Sequence, residues 1–163
     1  KDYTVKPIDF TQQEFIDGKV DVTSAYMGNE PYRMKEKGIE INIINPLSYG
    51  IDFYGDNLFT TEDEINNHPQ RVKNFLKASL KGWRYAISHK KETIRVVKHR
   101  YKSKRSYEHL QYEADVIEKM ILANLIEIGY TNIGRFKMIA EIYQDIGKIT
   151  PKEAQIGLKG LIY

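Results

Sequence analysis

Short segments rich in strand-forming residues alternate with short helical segments at the start of the chain, and this alternation restricts the fold more than any other feature. The predicted strands cover residues 3–8, 20–26 and 39–44. The predicted helices between them end at Gly18 and Gly38, since glycine is the residue that most often follows a helix. Strands that are separated by helices usually pair in parallel within one sheet. The pattern therefore predicts a βαβαβ segment of an α/β fold.

Two of the predicted helices begin with a capping-box sequence, at residues 11–14 and 61–64. In a capping box, the threonine side chain accepts a hydrogen bond from the third backbone N–H of the helix, and a glutamate side chain returns to the threonine N–H. Phe10 and Phe15 flank the first box as a hydrophobic staple. Both boxes predict where a helix starts.

From residue 57 onward the sequence predicts mostly helices. Apolar residues recur at helical spacing in three stripes, within residues 72–87, 107–121 and 133–146. Amphipathic faces of this kind normally pack into a core. Because three strands make too thin a sheet to cover the stripes, we expect sequence upstream of this chain to complete the fold. For the isolated chain we expect self-association, strand exchange or poor stability.

Composition and motif searches argue against an enzyme. The chain has no cysteine, which excludes disulfides, thiolate metal sites and cysteine nucleophiles. No nucleotide-binding or hydrolase motif occurs, and the four histidines form no metal-binding pattern. We therefore predict no catalytic residue, no metal site and no cofactor. No apolar run reaches the 18 residues that a membrane span requires.

The first candidate ligand-binding residues are Tyr26, Asn29 and Glu30, which lie where a predicted strand gives way to a helix. In open α/β sheets, ligands bind beyond the carboxyl ends of the strands. A tyrosine ring can stack on a planar ligand, and a glutamate can bind an amine or a protonated ring nitrogen. The alternative is that Asn29 or Glu30 only caps the helix.

The second candidate group comes from residues 47–57, which mix aromatic residues, glycines and aspartates. Tyr49, Tyr54 and Asp56 are the predicted ligand-binding residues here, because neighbouring glycines let the backbone bend close to a ligand. A turn with buried rings would have the same composition. We expect this group to face the same space as Tyr26 and Glu30.

A basic run lies within residues 90–105, where eight lysines and arginines are opposed by one glutamate. Such a run can bind nucleic acid or anionic lipid. Apolar residues interrupt it as they do in a helix with one buried side, and no base-stacking module accompanies it. The preferred interpretation is a solvated helix face, without a nucleic-acid partner.

Several motifs together resemble one family. Residues 15–26 resemble the helix–Gly–x–Val–Asp step of transporter-type solute-binding proteins, and residues 29–31, 49–61 and 83–86 narrow the likeness. Together they resemble the NMT/THI-type family, named for thiamine pyrimidine synthesis. The last six residues are similar to the branch that is fused to bacterial sensor histidine kinases.

The resemblance implies a partial type II periplasmic-binding-protein fold, with two α/β lobes around a ligand cleft. Residues 1–46 would form the second half of lobe two, residues 47–56 the crossover between lobes, and residues 57–163 the C-terminal part of lobe one. The N-terminal part of the two-lobed domain would be missing. In the family's pyrimidine binders an aromatic-x-x-Asn-x-Glu-like stretch contacts the ligand. Here Asn29 and Glu30 are adjacent, which departs from that spacing.

The resemblance also implies a function, which is non-enzymatic binding of a small molecule that is pyrimidine-like or amine-like. The expected protein is the periplasmic or extracytoplasmic ligand-sensing domain of a bacterial sensor histidine kinase. The alternative is the free substrate-binding component of an ABC importer. Its expected partners are the ligand and the rest of its own polypeptide, which would supply any link to the membrane. A pyrimidine synthase of this family would use a cysteine-rich segment, which this chain lacks.

Overall fold

The structure is a computed structural model that describes residues 3–9 and 11–161. The chain divides into two compact units. Unit 1 comprises Lys1–Asn42 and Trp83–Leu125, and unit 2 comprises Ile43–Gly82 and Ile126–Tyr163.

Unit 1 is built from short N-terminal helices and two longer ones. Its helices are α1 (Gln13–Ile16), α2 (Glu30–Glu36), the last turns of α4 (Pro69–Ser88), α5 (Lys90–His99) and α6 (Tyr107–Ile121). Helix α5 packs on α6 through the buried side chains of Ile94 and Leu110. The ammonium group of Lys90 joins the two helices, since it lies 2.6 Å from an oxygen of Asp115 and 2.8 Å from an oxygen of Glu118.

Unit 2 contains a 3-10 turn (Pro46–Tyr49), α3 (Glu62–Asn67), the first part of α4, α7 (Ile133–Asp145) and α8 (Pro151–Lys159). Helix α7 packs on α8, and Ala154 of α8 is buried. Gly129 lies against Leu80 with a φ of +89°, and a Cβ at this position would be 2.5 Å from a methyl carbon of the leucine. Only glycine fits both the conformation and the space.

The predicted βαβαβ segment is not observed, and this part of the fold prediction is wrong. Residues 3–8, 20–26 and 39–44 contain no strand in the part of the chain that the structure describes. Their side chains are open to solvent, with Val5 79 % and Val22 71 % exposed. The intervening helices α1 and α2 do form. A strand exists only when a neighbouring strand accepts and donates its backbone hydrogen bonds, and these segments have no such neighbour among the described residues.

One predicted helix start agrees with the structure and one does not. At residues 61–64 the Thr61 hydroxyl accepts a hydrogen bond from the Glu64 N–H at 3.2 Å, as the capping sequence predicts. At residues 11–14, α1 instead begins after Gln12, whose φ of 63° is left-handed, and Asp9 accepts hydrogen bonds at the helix start. Phe10 of the predicted staple lies outside the described residues.

A complete capping box occurs where the sequence analysis did not seek one. The Thr150 hydroxyl accepts a hydrogen bond from the Glu153 N–H at 3.2 Å, and the Glu153 carboxylate accepts one from the Thr150 N–H at 2.7 Å. The box starts α8 and fixes its entry angle.

The apolar stripes differ in how well they are covered. In the α6 stripe Leu110 is 5 % exposed, whereas in the α4 stripe Phe75 is 60 % and Trp83 47 % exposed. The α4 stripe is therefore not a core face in this structure, which agrees with the expectation that the isolated chain cannot cover it. None of the helices in the described ranges combines the length and the apolar character that crossing a membrane demands.

Candidate functional site

The first candidate group forms a closed turn, the Tyr26–Glu30 turn (residues 26–30) in unit 1. The backbone N–H of Tyr26 donates to one carboxylate oxygen of Glu30 at 2.7 Å, and the Asn29 amide nitrogen donates to the other at 2.6 Å. The Asn29 N–H also donates to the Tyr26 carbonyl at 2.9 Å. The Glu30 carboxylate therefore orders the turn that precedes α2, but neither Asn29 nor Glu30 caps the backbone N–H groups of this helix with its side chain.

Two groups of this turn remain available for binding. The Tyr26 side chain is 73 % exposed, although it is held at a fixed point by its own backbone contact with Glu30. The Asn29 side-chain oxygen is buried and has no hydrogen-bond partner among the described residues. A buried acceptor without a donor costs free energy, which a ligand or water that donates to it would recover.

The turn is supported from behind by α6. Gly28 lies so close to this helix that a Cβ would be 3.4 Å from the Glu113 side chain. The Tyr32 ring of α2 stacks on His109 with a centroid distance of 4.6 Å. Burial lowers the pKa of His109, and the positive charge of Arg105 lowers it further. A neutral imidazole therefore makes the contact with Tyr32, and the Tyr26–Glu30 turn packs against α6.

The second candidate group lies in unit 2, where Tyr54 is packed and ordered. The Tyr54 hydroxyl accepts a hydrogen bond from the Asn132 N–H at 2.8 Å, and the ring contacts Phe136 at a centroid distance of 5.0 Å. The Arg135 guanidinium lies 4.5 Å above the Tyr54 ring and pairs with Asp52 at 2.8 Å. The 47–57 segment is thus tied to the start of α7 by its aromatic and acidic side chains.

Tyr49 and Asp56 are more open. Tyr49 ends the 3-10 turn with its side chain 70 % exposed, and Asp56 is exposed at a bend. Tyr26, Asn29 and Glu30 thus meet in unit 1, whereas Tyr49, Tyr54 and Asp56 all belong to unit 2. The expectation that both groups face one ligand space stays a prediction.

A cavity of about 580 Å³ lies within unit 1, between the extended residues 3–9 and 19–24 and beside α1. The Gln12 side chain at its wall is 4 % exposed, and its oxygen has no hydrogen-bond partner among the described residues. Its nitrogen donates to the Ser24 carbonyl at 3.5 Å. The volume is within the range of about 300–1,000 Å³ that is typical of small-molecule sites.

Sequence reasoning missed Gln12 and Arg135. A glutamine near a helix start has no pattern that separates a buried amide from a solvated one, so no signal could have identified Gln12. Arg135 follows the Asn132 helix cap by three residues, but its contact with Tyr54 spans 81 positions of the chain. Only the fold brings such distant residues together.

The chemistry that these residues offer is recognition. Aromatic rings can cover the flat faces of a ligand, and amide and carboxylate oxygens can accept hydrogen bonds from its N–H groups. In the described ranges, no cluster of three or more histidine, aspartate or glutamate side chains could hold a metal ion.

Comparison with known proteins also indicates recognition of a solute. The profile of the NMT1/THI5-like family matches residues 1–93. The riboflavin-binding protein RibY of Chloroflexus aurantiacus is 32 % identical over 82 residues, which are 50 % of this chain and 23 % of that protein. The chain thus spans less than a quarter of the length of this curated relative, and no solved structure matches it.

The matched region includes the Tyr26–Glu30 turn, the 47–57 segment and α1 to α3. The name of the relative describes a protein that binds riboflavin. Because the family profile covers more than half of the sequence, this chain belongs to the NMT1/THI5-like family.

Proposed function

We propose that this chain is part of an extracytoplasmic domain that binds a small molecule and catalyses no reaction. The observation that carries the proposal is the Tyr26–Glu30 turn. It holds an exposed aromatic ring beside an ordered carboxylate and an unpartnered amide oxygen. A preorganised turn lowers the entropic cost of binding, which is the property expected of a recognition site.

The ligand class that suits these groups is a planar nitrogen heterocycle with N–H donors. The family's pyrimidine precursors belong to this class, as does riboflavin, which the relative's name gives as its ligand. In unit 1 the Tyr26 ring would cover a face of the ligand, and the Asn29 oxygen would accept a hydrogen bond from its edge. In unit 2, Tyr49 and Asp56 remain proposed ligand-binding residues. Glu30 would act chiefly by holding the turn and adding negative charge nearby.

The complete binding domain would need more chain than the 163 residues here. Residues 3–8 and 20–24 line the unit 1 cavity and form no ladder with each other. We propose that strands from the rest of the polypeptide pair with them and complete a sheet. In that arrangement residues 1–46 belong to lobe two, residues 47–56 cross between lobes, and residues 57–163 complete lobe one.

For the parent protein we propose a bacterial sensor histidine kinase, with this domain sensing the ligand in the periplasm. The support is the similarity of the closing residues 158–163 to the kinase-fused branch. The alternative is a free substrate-binding component of an ABC importer, and a riboflavin-binding relative is compatible with both. A kinase module encoded downstream would establish the first, and a stop codon directly after the domain the second.

A thermal-shift screen of the complete domain tests the binding function. A ligand that binds only the folded state raises the melting temperature, and a free concentration about 100 times the dissociation constant adds about 2.7 kcal/mol of stability. The screen would use riboflavin, thiamine pyrimidine precursors, nucleobases and small amines. We expect a stabilising compound among the planar nitrogen heterocycles. A hit only among unrelated classes would contradict the proposed ligand class, and no hit at all would contradict solute binding by these compounds.

A further inference from the structure

We propose that the loop between α5 and α6, residues 100–106, docks the protein onto an anionic phospholipid surface. This basic loop lies within unit 1 and takes part in neither candidate ligand group. The proposal does not depend on which small molecule the domain binds.

The loop carries positive charge that no acidic residue in the described part of the chain neutralises. Arg100, Lys102 and Lys104 are exposed, and the described residues give none of them an acidic partner. The neighbouring basic residues are used differently, because Lys90 pairs with Asp115 and Arg105 pairs with Glu113. Three positively charged side chains without an acidic partner among the described residues therefore lie within one seven-residue loop.

The loop is held in a defined shape by Lys98. Its ammonium group donates hydrogen bonds to the carbonyls of Ser103 at 3.1 Å and Arg105 at 2.6 Å. The Ser103 hydroxyl also accepts a hydrogen bond from the Arg105 N–H at 3.3 Å. Lys102 adopts a φ of 53°, a left-handed conformation that residues with a side chain rarely take. These contacts give the loop backbone from which the three cationic side chains extend a defined shape.

An aromatic residue stands among these cations. Tyr101 is 73 % exposed, and it lies between Arg100 and Lys102. Tyrosine is enriched at membrane–water interfaces, because its ring enters the apolar boundary while its hydroxyl stays among the headgroups. A basic loop with an exposed tyrosine thus combines shallow insertion with attraction to anionic lipid.

A membrane surface fits this loop better than other anionic partners do. A stable protein interface buries about 800 Å² on each partner, which a seven-residue loop does not supply. Proteins that bind single-stranded nucleic acid stack successive bases on several aromatic side chains in a groove. Binding to a lipid surface requires only the positive charges of the loop and the exposed ring of Tyr101.

Vesicle co-sedimentation tests the proposal, with phosphatidylcholine vesicles compared with equimolar phosphatidylcholine and phosphatidylglycerol. We expect binding only to the anionic vesicles, with loss of binding as salt is added. A loop variant replaces its three cations with glutamine, and a control variant removes the same charge from α4, where the residues are also exposed. The substitutions are Arg100→Gln, Lys102→Gln and Lys104→Gln in the loop variant, and Lys73→Gln, Lys77→Gln and Lys81→Gln in the control.

The loop variant should bind roughly a hundredfold more weakly, because each basic residue near an anionic surface contributes roughly a fivefold factor. The control should bind nearly as well as the unchanged protein, and Tyr101→Ser should weaken binding without changing its salt dependence. Equal losses in the two triple variants would overturn the proposal, because net charge alone would then explain the attraction. A protein that ignores anionic vesicles, or that binds duplex DNA in preference to them, would also overturn it.

Discussion

The carboxylate of Glu30 accepts a hydrogen bond from the backbone N–H of Tyr26 at 2.7 Å, and this contact positions an exposed ring that the sequence marks as a ligand-binding residue. The same carboxylate accepts a second hydrogen bond from the Asn29 side chain. The first residue of α2 therefore holds in place two residues that we propose bind the ligand, Tyr26 and Asn29.

Replacing Glu30 should therefore weaken ligand binding in the complete domain while leaving the fold nearly intact. Glu30→Gln keeps one acceptor oxygen but turns the other into a donor, so that one of the turn's N–H groups loses its partner. We expect a loss of binding free energy of up to roughly 1.5–3 kcal/mol, the value of a hydrogen bond to a charged group, because the ligand must then order the turn as it binds. Calorimetric titration measures it, and Glu40→Gln, which is exposed and has no hydrogen bond among the described residues, is the control. Unchanged affinity in Glu30→Gln would remove this turn from the site.

Tyr54 should contribute to stability through its hydroxyl group. Tyr54→Phe removes the hydrogen bond from the Asn132 N–H but keeps the ring beneath Arg135. We expect the free energy of unfolding to fall by roughly 0.5–1.5 kcal/mol, the usual net value of such a bond. Urea denaturation measures the change. Tyr49→Phe should leave stability unchanged, because this hydroxyl has no hydrogen-bond partner among the described residues; an equal loss in both variants would show that the Asn132 contact is not the cause.

The Lys90 bridge should make stability depend on pH. Hydrogen bonds from Lys90 and, secondly, from Gln111 lower the pKa of Asp115 from its ordinary value of 3.8. A carboxyl whose pKa is lower in the folded state than in the unfolded state stabilises the fold at pH values above its unfolded-state pKa. That contribution is lost as the pH falls through its folded-state pKa. Because these side chains are partly exposed, Lys90→Met should lower the free energy of unfolding only modestly near neutral pH.

The measurement for this bridge is urea unfolding over a series from about pH 7 to about pH 2, in which the Asp115 carboxyl gains its proton. The difference between the unchanged protein and Lys90→Met should shrink at the lower pH. Lys91→Met, which alters an exposed neighbour with no ion pair among the described residues, is the control. A difference that stays constant with pH would mean that Lys90 acts through packing rather than charge.

The isolated chain should self-associate through α4. Phe75 and Leu76 are 60 % and 44 % exposed on a helix that carries no buried residue. Apolar surface left in water favours association. Sedimentation equilibrium should show mass rising with concentration, and Phe75→Glu with Leu76→Glu should reduce it, whereas Lys73→Glu should have little effect. A monomer at all concentrations with a sharp, cooperative melt would contradict this prediction.

The sequence predicted the helices better than the sheet, for a physical reason. A helix satisfies its backbone hydrogen bonds locally, so a cap such as Thr61 can be read from neighbouring residues. A strand takes its partners from elsewhere in the chain, and local sequence at residues 20–26 cannot show whether a partner is present. The resemblance to the family was confirmed at the level of the family, while fusion to a kinase remains a prediction.

The candidate site was likewise predictable only in part. The Tyr26–Glu30 turn is local, and its residues could be named from the change of pattern at the end of a predicted strand. The first helix cap was misassigned because Asp9, rather than Thr11, accepts the hydrogen bond from the Glu14 N–H. Asp9 also accepts hydrogen bonds from the N–H and the hydroxyl of Thr11. Those hydrogen bonds, led by the Thr11 hydroxyl, lower the pKa of Asp9 to about 2. Arg135 could not be found, because its partner is distant in sequence.

Equilibrium dialysis of the complete domain against riboflavin and thiamine pyrimidine precursors, followed by mass spectrometry of the recovered compound, tests the central claim most directly. The account predicts saturable binding of one molecule per domain and recovery of that molecule chemically unchanged. Absence of binding, or recovery of a converted product, would contradict it.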